Sequence, residues 1–246
     1  MRLLIDVGNT RIKAAVQSGT GLQLLPAQAY VDQGLDQALN AWSMPDQVED
    51  CWVASVGHQD LHPVIDDWAR EQGTQGVHFV VSEAGACGVS NAYEQPGNLG
   101  VDRWLSIIAA HHRAAGPAVV VSAGTAATID AVDAAGRHLG GLITPGLATQ
   151  RRAMLDHTQV RANALNEAPA LLGNSTDACV SFGTLHALAG YIDRVSGRLA
   201  ADGQPWRRLM TGGDAEVIAP LLQGEWEIAP NLVLEGLGIL AQSAAD

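Results

Sequence analysis

One pattern limits the possible folds of this chain more than any other, because it occurs twice. Leu3-Leu4-Ile5-Asp6-Val7 is a short apolar run closed by Gly8-Asn9-Thr10, and the sequence returns through Arg11-Ile12-Lys13-Ala14-Ala15-Val16. Val119-Val120-Val121-Ser122-Ala123 is a second such run, closed by Gly124-Thr125-Ala126 and returning through Ala127-Thr128-Ile129-Asp130-Ala131-Val132. A four- to eight-residue apolar run bounded by turn residues reads as a buried strand, and two runs joined by a glycine turn read as a hairpin. Aligned without gaps, Gly8 falls on Gly124 and Ala15-Val16 on Ala131-Val132. A third strand is expected after each hairpin, near residues 22–25 and 138–144. The pattern predicts an internal duplication: an α/β chain of two related domains, residues 1–115 and 116–246, each a mixed sheet flanked by helices.

The remaining elements follow from periodicity. Strands are expected at residues 51–56, 77–81 and 206–210. Helices are expected at residues 35–42, 62–71, 101–115, 148–156, 176–199, 214–222 and 232–241. Residues 85–100 are rich in Gly, Asn and Ala without a period and read as a loop.

Composition removes several classes. With 47% hydrophobic and 16% charged residues, the chain has the makings of a core and is not a disordered segment. No apolar run approaches the roughly 18–20 residues that span a bilayer. Met1-Arg2-Leu3-Leu4-Ile5-Asp6 becomes charged too early for a signal peptide, so a cytoplasmic protein is expected. A net charge of −12 argues against a nucleic-acid surface, yet it leaves room for a nucleotide, because backbone N–H groups and a bound cation act locally. Cys51, Cys87 and Cys179 are too scattered for a metal cluster and are expected as buried, reduced thiols.

Four constellations carry chemistry. A carboxylate at a strand end followed by a glycine turn suits a nucleotide. Asp6 can hold Mg²⁺ directly or through water, Gly8 admits phosphate oxygens, Asn9 and Thr10 can donate to them, and Lys13 adds charge. An ordinary hairpin turn is the alternative. Ser122 to Ala126 forms the partner loop, with the same alternative. Gly100-Val101-Asp102-Arg103 stands at a loop-to-helix junction. There Asp102 is either a helix-start residue or the general base of a phosphoryl transfer, with Arg103 on a carboxylate or phosphoryl group. Thr211-Gly212-Gly213-Asp214 suits the adenosine end of ATP or serves as a plain strand-to-helix turn. No Walker A, GxSxG or HExxH pattern is present in the sequence.

In order and over nearly the whole length, these residues resemble the type III pantothenate kinase family of the actin, sugar kinase and Hsp70 superfamily. The matching segments are Asp6 to Thr10, Asn91-Ala92-Tyr93-Glu94-Gln95-Pro96, Leu99 to Trp104, Gly124-Thr125-Ala126, Gly140 to Gly146, Thr211 to Asp214 and Pro230 to Leu237. The resemblance implies two RNase H-like domains with a nucleotide cleft between them, and a homodimer. It implies transfer of the ATP γ-phosphoryl group to pantothenate, the first step of coenzyme A synthesis, with Mg²⁺ or a similar divalent cation. Asp102 would be the catalytic base. ATP would contact Asp6, Val7, Gly8, Asn9, Thr10, Arg11, Ile12 and Lys13, together with Gly124, Thr125 and Ala126. Pantothenate would be held by Tyr93, Gly100, Val101, Asp102 and Arg103, and by Thr176 or its neighbour Ser175 reaching in from a partner subunit. One position departs from the family: Ser122 stands where an aspartate is linked to a monovalent cation, K⁺ or NH₄⁺. A neutral hydroxyl offsets the cation's lost hydration less well than a carboxylate does. Two rival readings share the fold, a non-catalytic regulator and another small-molecule kinase or phosphatase.

Overall fold

The computed structural model describes residues 1–45, 48–57, 59–114, 116–161 and 170–244, and divides into two compact units. Unit 1 comprises Met1–Arg113, Gly136–His138 and Asn231–Asp246; unit 2 comprises Ala114–Ala135 and Leu139–Pro230.

Unit 1 opens with β1 (Arg2–Val7), β2 (Arg11–Ser18), β3 (Gly21–Leu24) and the short β4 (Gln28–Ala29), followed by α1 (Leu35–Asn40), β5 (Asp50–Ser55), α2 (His62–Glu71) and β6 (Gly76–Val80). The hairpin of β7 (Gly85–Ala86) and β8 (Val89–Ser90) and the helix α3 (Val101–Arg113) come next. The sheet order is β3-β2-β1-β5-β6, with β4 beside β2; β1 and β2 run antiparallel, whereas β5 and β6 run parallel to β1. Alternation divides β1 between two faces. Leu3, Ile5 and Val7 pack with Leu39, Ile65 and Trp68 of α1 and α2, and Leu4 packs with Leu105 of α3 and Leu237 near the C-terminus. Each such fully buried side chain contributes roughly 1.5–3 kcal/mol.

Unit 2 contains β9 (Ala118–Ala123), β10 (Ala126–Val132), most of β11 (His138–Pro145), α4 (Leu147–His157), α5 (Thr176–Leu199), β12 (Arg207–Thr211), α6 (Ala215–Ile218) and β13 (Glu227–Ile228). Its sheet order is β11-β10-β9-β12-β13, with β12 parallel to β9. The plan repeats that of unit 1: a three-strand antiparallel meander extended by parallel strands. Val119, Val121, Ala123 and Ile129 face Leu185, Leu188 and Ile192 of α5.

The repeat is not gapless in space. Val7 pairs with Ile12, but Ala123 pairs with Ala127, so residues 8–11 link the first hairpin and residues 124–126, one fewer, link the second. Ile12, Ala14 and Val16 therefore occupy the places of Ala127, Ile129 and Ala131, all core-facing. The Ala-Val match that suggested a gapless repeat is one residue out of structural step, which in a strand means the opposite face.

Other expectations shift as well. The last helix, α7 (Leu232–Ser243), clusters with unit 1, so a single boundary at residues 115/116 does not describe the partition. Its packing explains why. Gly236 lies so close to the Leu105 backbone that a Cβ would collide with it, and the buried Gln17 Nε2 donates to Gly238 O at 3.2 Å. Helix α3 ends at Arg113, where its guanidinium grips Glu235 at 2.5–2.6 Å; Ala115 lies outside the described residues. The expected helix over residues 214–222 holds α-helical hydrogen bonding only through α6 before Pro220, which lacks an N–H to continue it. Residues 85–100 contain a two-strand hairpin rather than loop alone. Of the thiols only Cys51 is buried; Cys179 is exposed on the first turn of α5.

Candidate active site

In unit 1 the first glycine turn follows a strand that ends in a carboxylate. Asp6 pairs across the sheet with Lys13, and Gly8 N–H donates to Arg11 O at 3.0 Å, closing the turn. Asn9, Thr10 and Arg11 are exposed, whereas the side chains of Val7 and Ile12 are core, so these two can offer a ligand only their backbone. Burial pushes the Asp6 carboxyl up from 3.8 to about 7; Lys13 holds it down and Asp102 adds to the rise. Asp6 and Asp102 are therefore close enough to repel.

Asp102 lies in the first turn of α3, where the helix dipole favours an anion. Its Oδ1 accepts from the Arg103 backbone N–H at 2.8 Å, and a Cβ on Gly100 would come within 2.7 Å of that oxygen. Glycine at 100 thus keeps the carboxylate accessible from the loop side. Arg103 is buried, its Nη1 donates to Tyr93 Oη at 2.9 Å, and its guanidinium carbon stands 5.7 Å from the Tyr93 ring centre. Tyr93 is set in turn by Asn91 Oδ1, which accepts its N–H at 3.0 Å, and by a near-parallel His138 ring at 6.4 Å. Tyr93, Gly100, Asp102 and Arg103 thus form one connected group in unit 1.

The second turn lies in unit 2. Gly124 N–H donates to Ala126 O at 3.0 Å, and Thr125 and Ala126 are exposed. Ser122 pairs with Thr128 and Thr211 on its two neighbouring strands. Gly146 and Gly212 back the turn so closely that a Cβ on either would strike the backbone of Gly124 or Ala123. The late Gly-Gly segment is therefore a buttress of the second turn, and Asp214 N–H donates to Ala123 O at 3.1 Å. Burial raises the Asp214 carboxyl, and Arg151 opposes the rise. At the start of α5, Ser175 Oγ accepts from Ala178 N–H at 3.1 Å as the helix cap, while Thr176 is exposed.

Residues 2–198 match the model of the type III pantothenate kinase family. The chain belongs to the type III pantothenate kinase family. A type III pantothenate kinase of Nitrosococcus oceani is 35% identical, covering 100% of this chain and 95% of the relative. One of Laribacter hongkongensis is 38% identical over 98% and 99%. Two solved structures share the fold at lower identity. A Campylobacter jejuni protein put forward as a Baf family transcriptional activator is 20% identical, covering 99% of this chain and 100% of that one, with a TM-score of 0.59. MreB 5 of Spiroplasma citri bound to AMPPNP is 10% identical, covering 100% and 97%, with a TM-score of 0.52. The fold is that of the actin-like ATPases and sugar kinases.

Within this type III pantothenate kinase, three supporting residues escaped the sequence reading. Tyr30 Oη donates to Gly8 O at 2.8 Å, Thr149 Oγ1 donates to Thr125 O at 2.7 Å, and Arg151 hydrogen-bonds Thr184. Each stands far along the chain from its hydrogen-bond partner, with no motif of its own.

Proposed function

We propose that this type III pantothenate kinase phosphorylates pantothenate with ATP through the residues grouped around Asp102. The observation that carries the reading is a carboxylate at a helix start, oriented by a backbone N–H and within electrostatic range of the Asp6 turn, beside a buried arginine that donates to a half-buried tyrosine. The turns at Gly8 and Gly124 bind the phosphates of ATP. Arg103 holds the pantothenate carboxylate, with Tyr93 fixing the guanidinium and Gly100 and Val101 lining the acceptor.

In the transfer, the pantothenate hydroxyl oxygen forms a bond to the γ-phosphorus while Asp102 accepts the hydroxyl proton. The bond from the γ-phosphorus to the β,γ-bridging oxygen breaks, its electron pair leaves on that oxygen, and ADP departs. Positioning and charge neutralisation supply most of the acceleration. The donor set fits a divalent cation. Asp6 carries a carboxyl that burial and Asp102 disfavour as an anion, and a nearby cation relieves both effects. Among the described residues no group of three or more His, Cys, Asp or Glu is placed to hold a metal ion, and Asp6 would hold the cation directly or through water. Mg²⁺ supplies neutralisation of phosphate charge there. A monovalent-cation site built on a carboxylate at 122 does not fit, because Ser122 offers a neutral oxygen there.

Thr176 completes the pantothenate site from a second copy. Capping commits Ser175 to its own helix, which leaves Thr176 to point outward. Exposed Leu142 and Ile143 on β11 and Met154 on α4 supply apolar surface for that copy. Among the described residues no helix is long and apolar enough to cross a membrane. Incubating the chain with ATP and Mg²⁺ should release ADP in a pantothenate-dependent way and yield 4'-phosphopantothenate. ADP release indifferent to pantothenate would refute the reading.

A further inference from the structure

We propose that Arg151 is a phosphate-binding residue for the nucleotide, acting from unit 2. The inference rests on the reading that ATP binds at the glycine turns. The second turn has a deficit of charge: Ser122, Ala123, Gly124, Thr125 and Ala126 include no ionisable side chain. Helix α4 is tied to that turn by its first residues. Gly146 N–H donates to Thr125 O at 3.0 Å, and Thr149 Oγ1 donates to the same carbonyl at 2.7 Å. Arg151 follows within the next half-turn of this anchored helix.

Its side chain is aimed by a buried partner. Arg151 Nε donates to Thr184 Oγ1 at 3.1 Å, and Thr184 is fixed on α5 by the carbonyls of Val180 and Ser181 at 2.9 and 3.0 Å. With Nε held, the planar guanidinium has a set direction, while its two terminal nitrogens make no hydrogen bond among the described residues. Asp214, bonded to the turn at Ala123, feels the arginine's charge, yet the two form no ion pair among the described residues. The guanidinium is half-buried, and with Nε held its two terminal donors are left for a ligand. Phosphate oxygens match that fork in geometry and charge, so a nucleoside polyphosphate is the ligand class it suits.

The test uses the full chain and two probes, AMPPNP with Mg²⁺ and adenosine, titrated calorimetrically. Arg151→Ala should weaken AMPPNP about 10- to 100-fold, the range for losing a charged hydrogen bond, and leave adenosine binding unchanged. Thr184→Val, which removes only the anchor, should weaken AMPPNP less. Arg151→Lys, which keeps charge but not the fork, should fall between wild type and Arg151→Ala, and it serves as the readout if the alanine variant folds poorly. Equal AMPPNP affinity in wild type and variants would overturn the inference. So would equal weakening of both probes, which marks a structural role. Wild-type protein that binds neither probe would instead refute the placement of ATP at the turns, and the inference with it.

Discussion

In the first turn Asp6 and Lys13 face each other across β1 and β2, and the phenol of Tyr30 holds the Gly8 carbonyl. In the second, Ser122 faces Thr128, and the backbones of Gly146 and Gly212 press against the turn from behind. One strand–turn–strand pattern thus serves two physical purposes. The first turn concentrates charge and accepts the desolvation that comes with it, visible in the raised Asp6 carboxyl. The second is nearly chargeless and gains its shape from close backbone packing. The extra residue in the first turn widens it, and the shorter second turn is the one that glycines buttress. The comparison teaches that a duplicated motif can keep its topology while dividing chemistry and rigidity between its copies.

The comparison is sharpened most by removing the charge of the first turn. Asp6→Asn should lower turnover about a hundredfold, the scale of losing a metal-linked charge at a phosphoryl-transfer site. The same change should stabilise the protein. Burial raises the Asp6 carboxyl from 3.8 to about 7 in the folded form, so between those values the folded form holds a proton that the unfolded form has released, and stability falls as pH rises. Without Mg²⁺, the Tm advantage of the asparagine variant should therefore be absent near pH 4, grow towards pH 7 and level off above it. A variant less stable than wild type at pH 8 would contradict this.

Shape is the corresponding weak point of the second turn. Gly212 has φ 98° and no room beside Ala123, so Gly212→Ala should cost about 2–3 kcal/mol in denaturant unfolding. At Gly124 a Cβ would meet only Ala126 O at 3.8 Å, so Gly124→Ala should cost about 1 kcal/mol or less. Equal costs would dissolve the distinction between buttress and turn. Tyr30→Phe removes one hydrogen bond to the first turn and should cost about 1 kcal/mol, with a modest rise in KM for ATP and none for pantothenate. The smallest effect concerns Ser122. Replacing K⁺ by a bulky organic cation should change kcat by less than about twofold, because Ser122 brings no charge to hold the ion. Strong potassium activation would show that other oxygens hold it.

What sequence could convey here follows from distance along the chain. Both hairpins, the helix over residues 62–71 and the helix over residues 176–199 were legible because their signals are local: apolar period and turn glycine. The ordered motifs likewise marked Asp6, Asp102 and Arg103 before any contact was known. The one-residue step between the hairpins was not legible, since Ala15-Val16 and Ala131-Val132 match by identity while facing differently. Nor was the membership of α7 in unit 1, which depends on Gly236 meeting the Leu105 backbone. Tyr30 and Thr149 were missed because each acts on a turn through a tertiary contact that leaves no periodic or motif trace.

The assignment of Asp102 as the acceptor of the hydroxyl proton is tested most directly by single-turnover transfer in Asp102→Asn, with AMPPNP affinity measured on the same preparation. The amide keeps the shape and the Oδ1 acceptor but cannot take the proton. Transfer should slow by about 10²- to 10⁴-fold with nucleotide affinity nearly unchanged. Transfer at the wild-type rate would contradict the account.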